Sequence, residues 1–199
     1  MGTKRGGMTA RDLMEQLDAD PAYQAMRRAK DHELAELAEH RRREQQPLLK
    51  DLSAAGAIVA WVGELCDIPD PDPRIYPVLL DHLTKPNPPW LLEWIGRAFG
   101  RKTARPMVWD TLINLIKTDA LEEKAASGVM VAISNMAQPR DLQTLIDLLS
   151  NSSIGSSRIF LVSNLMRSRK PAARAALLQH RDDPVLKHEI KARLARSWS

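Results

Sequence analysis

Two short stretches, AISNMAQ at Ala132–Gln138 and LVSNLMR at Leu161–Arg167, write nearly the same pattern twice. Each places Ser-Asn before a large apolar residue, and Asn135 and Asn164 stand 29 residues apart. Aligning the chain on this pair brings other segments into register. LQTLIDLLS (Leu142–Ser150) follows the first copy and ARAALLQH (Ala173–His180) follows the second. Upstream, YPVLLDHL (Tyr76–Leu83) and WDTLINLIK (Trp109–Lys117) have the same character. Their closing apolar residues, Leu83, Ile116, Leu149 and Leu178, are spaced by 33, 33 and 29.

A short polar turn follows each of these segments, then a second apolar-striped helix: WLLEWIGRAF, KAASGVMVAISNM, SSRIFLVSNLM and VLKHEIKARL. The interval of 16 recurs from Leu83 to Phe99, Leu149 to Leu165 and Leu178 to Leu194. Met136, Leu165 and Leu194 are therefore expected at equivalent buried positions. Two helices in roughly 30–35 residues, written repeatedly, point to stacked helix pairs, because one pair cannot bury its apolar face alone. Pro86, Pro88, Pro139, Pro171 and Pro184 fall where helices start and stop.

GSSRIFLVSNL (Gly155–Leu165) resembles the second helix of a HEAT repeat, with Arg158 seven residues before Leu165, where that family often carries arginine. The resemblance covers about residues 73–196. It implies an all-α fold, a right-handed α-α superhelix or HEAT-like (armadillo-like) solenoid of about five helix pairs. The stretch PLLKDLSAAGAIVAWVGELC reads as a degenerate first pair, one helix ending near Gly56 and a second running through Ile58, Trp61, Val62 and Leu65. DIPDPDP then breaks the chain.

The N-terminal part differs. Residues 1–8 read as a disordered arm, with Met8 a possible second start, and residues 9–56 as a charged helical cap ahead of repeats in 57–199. Asp20-Pro21 signals a helix start. The helix behind it is highly charged, with a narrow stripe of Tyr23, Met26, Leu34 and Leu37, and Pro47 is placed to end it. The expectation is a cap on the first repeat; the alternative is a helix that projects to another chain.

Composition bounds the function. The 199 residues carry a net charge of +4, but residues 51–100 sum to −4 and residues 151–199 to +7. No apolar run approaches the ~20 residues needed to span a bilayer. One cysteine, Cys66, forbids an internal disulfide, and a reducing cytoplasm is the expected home. His32, His40, His82, His180 and His188 include no pair at helical ligand spacing, so no metal site is expected. No phosphate loop or nucleophile elbow is written, and Asp67, Asp70 and Asp72 sit in a proline-rich turn without the spacing of a calcium loop. No catalytic residue and no cofactor are expected.

Candidate partner-binding residues remain. Trp90 and Trp94 share a helix face that Arg97 and Arg101 extend, a composition enriched at binding hot spots. Asn135 and Asn164 are either a structural ladder or polar recognition groups. Arg158 and Arg167 belong to a basic C-terminal cluster with Arg169, Lys170 and Arg174. The HEAT resemblance implies a non-enzymatic module that binds another protein, possibly an acidic one, through a concave face. Bacterial proteins of this kind include scaffolds, adaptors and immunity proteins. The alternative is nucleic-acid binding by the basic end, including the remote case of a HEAT-like glycosylase, for which Glu93 is the one acid on the tryptophan-bearing helix.

Overall fold

The computed structural model describes residues 9–196; the expected N-terminal arm lies outside them. Within that span the protein is all-helical, with eleven α-helices, three short 3-10 segments and no strand. It divides into two compact units, one ending at Glu44 and the other beginning at Gln45.

The first unit is a hairpin of α1 (Ala10–Ala19) and α2 (Pro21–Glu44). Thr9 and Asp12 form a reciprocal capping box on α1. Asp20 Oδ1 accepts from the backbone N–H groups of Ala22 and Tyr23 at 2.8 and 3.3 Å, as Asp-Pro predicts. Neither helix has a buried residue. In α2 Met26 is 62% exposed and Leu34 52%. Pairs such as His40–Glu44 and Arg43–Glu39 lace the polar side.

The second unit opens with α3 (Gln46–Ala54), where Pro47 falls in the first turn. Gly56, at φ 98°, ends it: the N–H of Ala57 reaches back to the Leu52 carbonyl at 2.9 Å and that of Gly56 to Ser53 at 3.0 Å. That left-handed turn is the ordinary use of glycine after a helix. The expected second helix of this pair does not form. Ala57–Trp61 is non-helical, and only a 3-10 turn, Val62–Cys66, follows, with Ile58 89% exposed. The reason is local. Gln45 Oε1 takes the Val62 N–H at 3.1 Å, Glu64 takes that of Ala60 at 2.9 Å, and Pro69, Pro71 and Pro73 forbid continuation. Val62 and Leu65, three apart on the 3-10 turn, still enter the core.

The remaining helices fall where the intervals place them: α4 (Ile75–Leu83), α5 (Pro89–Ala98), α6 (Arg105–Lys117), α7 (Glu123–Met136), α8 (Leu142–Ser150), α9 (Ile159–Arg167), α10 (Pro171–Gln179) and α11 (Lys187–Arg196). α4 packs on α5, α6 on α7, and α8 on α9; α5 also packs on α7, and α7 on α9, while α9 receives both α10 and α11. Leu83, Phe99, Ile116, Met136, Leu149 and Leu165 are all buried, as the register requires. The last pair is out of step. Leu178 is 43% exposed while Leu177 is buried in its place, and Leu194 is only partly buried. The shorter interval before Leu178 turns α10 by one residue relative to its predecessors.

The α5–α7 crossing is the tightest in the unit, and glycine sets its distance. A Cβ on Gly128 would lie 2.1 Å from the Glu93 carbonyl oxygen, and one on Gly96 would lie 2.7 Å from the Val129 nitrogen. Backbone therefore meets backbone, with no side chain between. Two buried arginines tie the turns together. Arg105 stacks over Trp109 at 3.8 Å and donates to the Asp141 carboxylate at 2.7 Å and to the Met136 carbonyl at 3.3 Å. Arg158, 4% exposed, donates to both oxygens of Asp183, at 3.0 and 3.3 Å, and to the Leu149 and Gly155 carbonyls. Losing Arg105 would leave the buried Asp141 without its charged partner, a change that costs about 3–5 kcal/mol, while Asp183 would keep the Val185 and Leu186 N–H groups.

Candidate binding site

The α5–α7 crossing brings together residues that no sequence window connects. Trp94, Arg97, Gly100 and Arg101, from α5 and the turn beyond it, line a cleft of about 200 Å³ with Val131 and Asn135 of α7 and Cys66 of the 3-10 turn. Four of the eight candidate residues, Trp94, Arg97, Arg101 and Asn135, thus converge. Trp94 and Arg97, three apart, share a stripe of α5, while Arg101 lies past the helix end and reaches the cleft from the turn. Asn135 joins them because the glycine crossing draws α7 in; a Cβ on Gly100 would sit 3.0 Å from its amide nitrogen.

The electrostatics of the cleft are uneven. Arg97 donates to Glu93 Oε1 from both Nη2 and Nε, at 2.7 and 3.2 Å, and its guanidinium stands 5.7 Å from the centre of the Trp94 ring. Glu93 Oε2 also lies 3.9 Å from Lys124. Arg97 is therefore already matched by an acid. Trp94 is fixed by an edge-on contact with Trp61, centroids 4.8 Å apart. Arg101 differs: its Nη2 is buried and has no hydrogen-bond partner, and among the described residues no carboxylate pairs with it. Burial pushes the Cys66 thiol above its usual value, and Asp67 adds to this, while Arg101 and Arg97 pull the other way. The thiol is thus a neutral wall of the cleft.

The other candidates lie apart. Asn164 and Arg167, with Ser168, Arg169 and Lys170, edge a larger cleft of about 450 Å³ floored by Ala137, Pro139, Leu142 and Leu145. Arg167 donates to Ser163 Oγ at 3.0 Å. Asn164 donates to the Ser134 carbonyl at 2.8 Å, and its own Oδ1 lies 2.6 Å from Ser134 Oγ, which is also 2.9 Å from the Phe160 carbonyl. One hydroxyl hydrogen serves these two acceptors in turn. The two Ser-Asn copies thus touch each other across α7 and α9, through the serine of the first and the asparagine of the second. Asn135 has no equivalent bond and is exposed.

Two candidates stand outside both clefts. Arg158 is buried by Asp183 and two carbonyls, so it offers nothing at the surface. Trp90, one turn before Trp94, is partly buried against the core and does not line the cleft. The sequence reading missed Cys66, Gly100 and Val131 as lining residues, and Trp61 as the ring that fixes Trp94. Gly100, directly before the charged Arg101 at a helix end, was the one readable signal among them. Glu93, the single acid on this helix, is engaged with Arg97 and Lys124.

Among the described residues no group of three or more His, Cys, Asp or Glu side chains is placed to hold a metal ion, and no helix is long and apolar enough to cross a membrane. Compared with family models, with curated proteins and with solved structures, the chain has no match in any of the three.

Proposed function

We propose that the chain is a HEAT-like helical-repeat module, its second unit a right-handed superhelix, that binds another protein without catalysis. The succession of α5, α7, α9 and α11, each packed on a neighbour two helices away, supports the superhelix. A single observation carries the binding reading: Trp94, Arg97, Arg101 and Asn135 converge on one open cleft while a guanidinium there lacks an acid. Aromatic and arginine side chains in a partly desolvated recess are the composition of interface hot spots. The test is cross-linked capture of partners by the full chain from its native host, with and without nuclease. Retention of a protein after nuclease, lost in Trp94→Ala, is the expected result. Capture that vanishes with nuclease would instead favour nucleic acid.

That second reading rests on the larger cleft, whose rim carries Arg167, Arg169 and Lys170 together at the surface. Phosphate binding there would weaken with salt at a log–log slope near −0.9 per phosphate neutralised.

A further inference from the structure

Arg105 and Arg158 show how this protein treats a shielded guanidinium: each holds an aspartate and donates to a helix-end carbonyl. Arg101 breaks that pattern. Its Nη2 is buried and unbonded, and its side chain lines a cleft with no acid paired to it. A shielded charged donor without a partner is costly, and a ligand that supplies the acceptor recovers that cost on binding.

We propose that the cleft between α5 and α7 is a receptor for one carboxylate, the side chain of a glutamate or aspartate on the partner protein, received by Arg101. This rests on the protein-binding reading above for the source of the acid, but not for the site itself. Charge selects the ligand. Glu93 already neutralises Arg97, so the cleft has one positive charge to offer, and a dianionic phosphate would meet the Glu93 carboxylate with only Arg101 fully available. The Cys66 thiol, kept protonated by burial, adds no competing charge. Shape agrees. At about 200 Å³ the cleft lies below the ~300–1,000 Å³ of sites for drug-sized ligands. Trp94, Val131 and Cys66 provide an apolar wall for a methylene stem, and the exposed Asn135 amide stands at the mouth as a second donor. A planar guanidinium takes a carboxylate through two parallel N–H groups, a geometry that lysine cannot copy.

The experiment follows the Arg101 Nε–H and Asn135 side-chain amide signals by NMR in the full chain. The probes are N-acetyl-glutamate α-amide, its glutamine counterpart, acetate and inorganic phosphate. The expected result is saturable, glutamate-specific shifts, tighter than with acetate because the stem meets the wall. Arg101→Gln should weaken glutamate binding about tenfold, the value of one hydrogen-bonded charge. Lys117→Gln, remote from the cleft, should leave it unchanged. Should Arg101→Gln lower the melting temperature, Arg101→Lys keeps the charge and is expected to weaken binding as well. Equal shifts with the glutamine probe, tighter binding of phosphate, no saturation with any probe, or full binding by both Arg101 variants would each overturn the site. Acetate binding more tightly than the glutamate probe would overturn the side-chain assignment. Failure of partner capture with glutamate binding intact would remove the protein-binding reading alone.

Discussion

α7 meets α5 and α9 by opposite means. Toward α5 it offers Gly128, and the backbones touch; toward α9 it offers Ser134, and side chains exchange hydrogen bonds with Asn164. A glycine contact fixes distance through excluded volume and admits no addition. A hydroxyl–amide contact fixes register through direction, and tolerates loss at the cost of unpaired groups. The cleft lies on the glycine side, which is physically consistent: the close approach there is what places Asn135 beside Gly100 and Arg101. On this comparison, added volume harms the α5–α7 contact most, and lost polarity harms the α7–α9 contact.

The largest effect is therefore expected for Gly128→Ala. Alanine favours helix over glycine by about 1 kcal/mol, which in open space would stabilise α7. Here the new methyl would sit 2.1 Å from a backbone oxygen that no rotamer can move aside. Overpacking typically costs about 1–3 kcal/mol and sometimes more, and a backbone clash belongs at the upper end. A net loss of about 2–3 kcal/mol in urea unfolding is expected, together with loss of glutamate-probe binding as the cleft opens. A neutral or stabilising Gly128→Ala would show that the crossing is not set by glycine.

Asn164→Ala is expected to cost less, about 1–2 kcal/mol, since it leaves the half-buried Ser134 carbonyl without its donor, while the Ser134 hydroxyl keeps the Phe160 carbonyl. A double-mutant cycle with Ser134→Ala sharpens the comparison. Coupling near 1 kcal/mol would mark a genuine pair, whereas additivity would reduce the contact to simple packing.

The intervals of 33, 29 and 16 made eight helices legible, because burying one stripe per helix forces apolar residues into a fixed register. What the sequence left hidden was set by contacts distant along the chain. Nothing near Gly128 names Gly96 as its partner, 32 residues earlier, and Arg105 finds Asp141 across 36 residues. The segment Ala57–Trp61 misled as well: its apolar run suits a helix, but Glu64 captures the Ala60 N–H, Gln45 takes that of Val62 just beyond it, and the prolines that follow forbid continuation. In the site, the pairing of Trp94 with Arg97 was legible from helical spacing, whereas Arg101 joins them from the turn after α5. The separation of Trp90 from that pair, and the interior use of Arg158, were not, since spacing gives direction around a helix but not what stands opposite.

The smallest effect concerns the edge of the second unit, where α3 meets α4, and it tests whether a polar contact at the rim behaves like the Ser134–Asn164 contact inside. Asp51, half exposed on α3, bonds through Oδ2 to Nε2 of the buried His82 at 2.8 Å. That hydrogen bond from His82 holds the Asp51 carboxyl below its ordinary value, against a weaker opposing push from burial. A carboxyl depressed on folding contributes stability above its unfolded value, near pH 4, and loses it as the pH falls toward its folded value. Wild-type protein should therefore lose more stability than Asp51→Asn on acidification, with the difference shrinking as the pH falls below about 4. The asparagine oxygen can still accept from His82, so the variant should melt only slightly lower near neutrality. Melting temperature measured against pH for both proteins decides it. A difference that persists unchanged to pH 2 would mean that the contact works through geometry alone, as the Ser134–Asn164 contact does, and not through the charge on Asp51.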